Sequence, residues 1–202
     1  MFVIIRILIG GMLFAANHII LHWLKKSNKR TWRLLLAIIV LVLTSFTFLL
    51  PLENMFVTFD SPKDVYEYVK LGKPNIKLII ENSETALVIN EENGTYSYLI
   101  VPRTSMGWKL GVGADTKLVS SCLVDGIAVN IYQYKSTSNY YLSVIDTDGS
   151  GGKISDSANS EFIPLNVDTI STDTEVQAYV AYISELTPQY CIWIDGKKVS
   201  LE

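Results

Sequence analysis

Two long apolar runs open the chain, and short alternating runs fill the remainder. Phe2–Leu24 and Leu34–Leu50 hold no acidic residue, and Arg6 is their only Lys or Arg. As helices rising 1.5 Å per residue they would span about 34 Å and 26 Å, against a hydrocarbon core of roughly 30 Å. Lys25, Lys26, Lys29, Arg30 and Arg33 lie between them. Basic residues next to a span are retained in the cytoplasm. The pattern therefore predicts a transmembrane helical hairpin over 1–52 with a basic cytoplasmic loop at 25–33. Both termini and all of 53–202 would then lie outside the cytoplasm, in a multi-pass protein of the cell membrane. Arg6 is expected to snorkel to the outer headgroups. A rival arrangement, in which only the second run spans, leaves the large domain on the same side.

Folding the hairpin about its midpoint sets Gly10 opposite Thr47 and Gly11 opposite Phe46. Small residues there would allow close helix contact. His18 and His22, four apart, share a helical face. At the end of the first run they read as residues suited to a helix C-terminus rather than as metal ligands.

After Leu52 the pattern changes. Ser61 is an N-cap, Pro62 occupies the first helical position, and Asp64 sits at the third, beside the positive helix end. Val65, Tyr68 and Val69 supply an apolar face, and Gly72 with Pro74 ends a helix of about 62–71. Beyond it the residues are β-branched or aromatic, punctuated by tight-turn dipeptides. Asn93-Gly94 predicts a two-residue hairpin that pairs Glu92 with Thr95, Ile89 with Tyr98 and Leu87 with Ile100. Asp125-Gly126 pairs Cys122 with Val129, and Asp195-Gly196 pairs Ile192 with Val199. A looser turn at Ser136–Asn139 joins Ile127–Lys135 to Tyr140–Asp146, and Glu175–Leu186 alternates like a strand. The expected fold is thus two N-terminal transmembrane helices followed by a mainly antiparallel β domain. Its eight to ten strands would form a sandwich or open barrel meander, with one short helix at the start.

Charge sharpens the boundary. Six of the 17 basic residues and none of the 20 acidic ones precede Pro51. The remaining 11 basic and all 20 acidic residues follow it, for a net −9. Such a domain has no electrostatic affinity for nucleic acid. The expected partners are the lipid bilayer and another membrane or cell-surface protein.

Candidate chemistry is sparse. Both histidines precede Pro51, so residues 53–202 cannot build Ser-His-Asp or Cys-His catalysis or a His-ligated zinc site. Glu91-Glu92 is the one adjacent carboxylate pair, and it reads as a solvated turn. Asp146, Asp148 and Ser150, followed by Gly151, match the start of a calcium loop. Ser157 at the twelfth position breaks the match, so a plain turn and a calcium loop stay open side by side. No other cofactor is implied. Cys122 and Cys191, the only cysteines, are candidates for a disulfide in an oxidising compartment, with two buried thiols as the alternative. Trp108 in a Gly-rich loop, with eleven tyrosines all after Glu53, suggests an aromatic contact surface. The resulting expectation is a membrane-anchored extracytoplasmic binding, sensing or interaction module without catalysis. The alternatives are a cell-surface hydrolase using a carboxylate pair and a small membrane-complex subunit acting through its helices.

Overall fold

The computed structural model describes residues 2–23, 29–49, 52–70, 73–111, 115–146, 152–165 and 177–200. Helices α1 (Phe2–Trp23) and α2 (Lys29–Leu49) pack against each other. Among the described residues no helix is long and apolar enough to cross a membrane, so the two-span expectation has no support from the fold. Two finer expectations for this hairpin change. Arg6 is fully buried within the chain instead of reaching outward. A Cβ added at Gly11 would meet nothing within 4 Å, so Gly11 does not mediate close helix contact. Gly10 is half-buried, and the Thr47 side chain lies outside the described residues.

A 3-10 turn (Leu52–Met55) leads to α3 (Pro62–Val69). The Ser61 hydroxyl accepts from the Asp64 N–H at 3.2 Å, and the Asp64 carboxylate accepts from the Ser61 N–H at 3.1 Å. This reciprocal capping box satisfies two N–H groups that the first turn cannot. The helix is shorter than predicted, because Lys70 is already extended.

The β part holds three antiparallel sheets among the described residues. The first runs β1 (Asn75–Glu81), β2 (Thr85–Glu92), β3 (Thr95–Thr104) and β4 (Gly107–Trp108) in order. The second contains β5 (Thr116–Val124), β6 (Ile127–Tyr134), β7 (Tyr140–Asp146), β9 (Ile163–Leu165) and β10 (Gln177–Ile183), in the order β5-β6-β7-β10-β9. In the third, β11 (Cys191–Ile194) lies between β12 (Lys197–Ser200) and β8 (Ile154–Asp156). The predicted hairpin registers hold: Ile89 faces Tyr98, Cys122 faces Val129 and Ile192 faces Val199. Their turns work because Asn93-Gly94, Asp125-Gly126 and Asp195-Gly196 all take positive φ, the conformation that matches the twist of the paired strands.

Alternation along the strands sorts the side chains into three cores. Val65 and Tyr66 of α3 pack on Ala86, Val88, Val101, Trp108 and Leu110. Leu87, Ile89 and Ile100, on the opposite face of that sheet, meet Tyr141, Ala178 and Val180 of the second. Leu142, Val144, Ala181 and Ile183 continue through to Tyr190 and to Ile192, Ile194 and Val199 of the third. The domain is therefore a sandwich-like stack of helix and sheets, and β2 is buried on both faces. Among the described residues no barrel closes, since the three sheets remain separate.

Candidate functional site

Two polar cavities lie at one corner of this stack, between α3 and the start of β1. A cavity of about 590 Å³ is lined by Lys63 and Glu67 of α3 with Lys73, Pro74, Asn75 and Ile76. A smaller one of about 90 Å³ shares Lys73, Pro74 and Asn75, and adds Lys70 with Asn90, Glu91 and Glu92 from the end of β2. Register explains the meeting. Asn75 and Ile76 pair with Glu91 and Asn90, and a bulge follows between Ile76 and Leu78. Such bulges re-aim side chains at sheet edges.

Asn90 is the unusual residue. It continues the face of β2 that carries Ala86 and Val88, so its side chain points into the α3 layer. It is 3% exposed, and its buried amide oxygen has no hydrogen-bond partner. Its backbone, by contrast, is tied in: the Ser97 hydroxyl donates to its carbonyl at 3.4 Å and itself meets the Tyr66 hydroxyl at 3.0 Å. A buried amide left unpaired costs free energy, and buried polar groups are nearly always satisfied by protein or water. The charged groups around it are largely committed. Glu91 accepts from the Asn75 amide and the Gly94 N–H, each at 2.6 Å. Glu92 takes Lys70 at 3.3 Å, and Glu67 pairs with Lys63 at 3.7 Å. Lys73 makes no ion pair among the described residues. The corner thus offers a cation and an amide that can both donate and accept.

The residues singled out in the sequence gather elsewhere or not at all. Trp108 is 3% exposed, closed in by the antiparallel bridge from Phe59 and by the Arg103 guanidinium 5.2 Å from its ring. It is a core residue and not the predicted contact surface. The tyrosines follow it inward, for none of the eleven is exposed. Several stitch the first two sheets together. The Tyr141 hydroxyl meets Asn82 and Thr85 at 2.9 Å each, Tyr98 stacks on Tyr132 at 4.9 Å, and Tyr98 bonds Ser143 at 3.2 Å. Burial, and then neighbouring Tyr98, push the Tyr132 hydroxyl up to about 12.

Cys122 and Cys191 are both free. Cys122 lies on β5 of the second sheet and Cys191 on β11 of the third, so of the two alternatives the structure holds two free thiols, that of Cys191 buried and that of Cys122 half-buried. Asp146 is buried at the end of β7, while Asp148 and Ser150 fall outside the described residues. Among the described residues no group of three His, Cys, Asp or Glu side chains is placed to hold a metal ion. The Asn90 corner went unremarked in the sequence, although one signal was present: an asparagine at a core-facing position of a strand.

Comparison with protein-family models, with curated proteins and with solved structures finds no match.

Proposed function

We propose that the chain is a membrane-anchored, extracytoplasmic binding module, with α1 and α2 as the anchor and the corner at Asn90 as the binding site. The anchor reading rests on the two apolar runs of the sequence and on the large apolar side chains that α1 and α2 turn outward, among them Ile7, Leu8, Phe14, Leu34, Ile38 and Leu41. Water does not favour such surfaces, and lipid does. The basic linker then belongs to the cytoplasmic side and the acidic domain to the outer one.

The binding reading is carried by the bare Asn90 amide beside an uncommitted lysine. A small solute with a carboxylate for Lys73 and an amide for Asn90 fits that chemistry, as an amino acid or short peptide would. The carboxylate-pair hydrolase gains nothing here, since Glu91 and Glu92 are held by Asn75, Gly94 and Lys70. The test is a thermal-shift titration of the full chain in detergent with free amino acids and with di- and tripeptides. The expected result is stabilisation of the wild type that Asn90→Leu and Lys73→Ala both remove. Stabilisation in none of the three proteins, or equally in all three, rejects the site.

A further inference from the structure

Strand β5 stands at the margin of the second sheet and is its least covered member. It pairs with β6 along one edge, and among the described residues no strand pairs with the other. No residue of β5 is buried, whereas β6, β7, β9 and β10 each bury at least one. Leu118, Leu123 and Val124 are 51%, 73% and 43% exposed. A long bare edge is a template for pairing with another chain, and proteins usually blunt it with a charge or a bulge. Here both devices sit towards the start of the strand, as Lys117 and a bulge between Leu118 and Ser120. Beyond the bulge, Ser120–Val124 keeps a regular register with β6 and holds no charge.

We propose that the β5 edges of two copies of this chain pair antiparallel about a two-fold axis at Cys122, joining two five-stranded sheets into one. In that register Ser121 of each copy faces Leu123 of the other, and Ser120 faces Val124. A two-fold axis perpendicular to the sheet keeps every side chain on its own face, so the apolar Leu123 side chains gain neighbours without a flip of the strand. Charge chooses a second copy as the occupant. Lys117 precedes the axis and Asp125 follows it, with only uncharged residues between them. Such a strand is complementary to its own reverse. Asp125 of one copy comes opposite Val119 of the other, and Lys117 two positions on lies at the diagonal distance that a long side chain spans. Within its own chain Asp125 meets only Lys197, at 3.6 Å with both side chains largely exposed, an ion pair weak enough to be shared or exchanged.

Analytical ultracentrifugation of the full chain in detergent reads the association, and a pair of thiols reads its register. The expected result is a concentration-dependent dimer. Leu123→Lys and Lys117→Glu should each raise its dissociation constant about tenfold or more, because the two-fold axis makes each substitution act twice. Both positions are exposed, so neither change disturbs the core. Met106→Lys, at an equally bare apolar residue outside β5, should leave the dimer unchanged. For the register, chains carrying Ser121→Cys and chains carrying Leu123→Cys are mixed in a Cys122→Ser background, with Cys191 protected by burial, and treated with dibromobimane. The mixture is expected to cross-link far faster than either variant alone. A chain that stays monomeric at every concentration overturns the proposal. So does a dimer that neither β5 substitution weakens, or that Met106→Lys weakens as much, since it then forms through another surface. Cross-linking that is as fast within one variant alone overturns the axis at Cys122.

Discussion

Replacing Asn90 by leucine should make the protein more stable. The Asn90 side chain is buried, and its amide oxygen has no partner. Leaving such a group unpaired in the interior costs about 1–3 kcal/mol, and an apolar replacement recovers that cost. Leucine is larger than asparagine, and overpacking a core usually costs about 1–3 kcal/mol. That penalty is relieved here because the side chain borders a cavity of about 90 Å³. For a domain of this size each kcal/mol moves the melting temperature by about 2–4 °C, so the expected rise is about 2–12 °C. Near-UV circular dichroism of the full chain in detergent follows the melt, since it reports the packed tyrosines and Trp108. A melting temperature equal to or below that of the wild type would refute the reasoning. It would mean that ordered water satisfies the amide, and that the corner is a hydrated joint with no free hydrogen-bonding capacity. Stability and binding are predicted to move in opposite directions, the trade expected where a strained polar group is kept for use.

Three further outcomes follow from the stack of sheets. Tyr141→Phe removes a buried hydroxyl shared by Asn82 and Thr85 and should cost about 1–3 kcal/mol. The cost falls near the lower end because those two side chains still bond each other at 2.9 Å. Tyr179→Phe, whose hydroxyl reaches only Gln177 two residues away, is the control and should change stability little in the same denaturant series. In alkali, Tyr132 holds its proton up to about 12 in the fold, raised first by burial and then by Tyr98, against about 10 when unfolded. The unfolded chain therefore loses protons first, so this contribution to stability is complete below pH 10 and is lost as pH rises towards 12. Stability flat across that window, with Tyr132 ionising near 10 by absorbance, would contradict it. Finally, two thiols should titrate in denaturant without reductant, Cys122 alone reacting in the native state, and slowly, because burial raises its pKa. A denatured chain with no titratable thiol would restore the disulfide.

What could be read from the sequence was what depends on neighbours. Asn93-Gly94, Asp125-Gly126 and Asp195-Gly196 each fix a register over the next few residues, and the Ser61 cap needs only Asp64, three positions on. Trp108 could not be placed in this way. Its burial depends on the bridge from Phe59 and on the Val65 side of α3, both tens of residues upstream. The cysteines show the same limit. The strand of each was legible and the partner of Cys122 across its hairpin was correct, but which sheet each strand joins is set by long-range stacking. The tyrosines were misjudged for a chemical reason. A tyrosine can equally well be an exposed anchor or a buried bridge with a bonded hydroxyl, and alternation alone does not separate the two.

Burial of Trp108 and the tyrosines also moves the functional argument to the ends of the first sheet. With β2 of the first sheet and β7 and β10 of the second largely buried on both faces, contact chemistry is left to edges and corners. The proposed site at Asn90 is one such place, and it borders the core cluster under α3. Val65 and Tyr66 of α3, Val88 two positions before Asn90, and Trp108 beside Met106 all belong to it. The Tyr66 hydroxyl continues through Ser97 to the Asn90 backbone. A ligand that orders the Asn90 corner would therefore act on the whole packed unit formed by α3 and the first sheet.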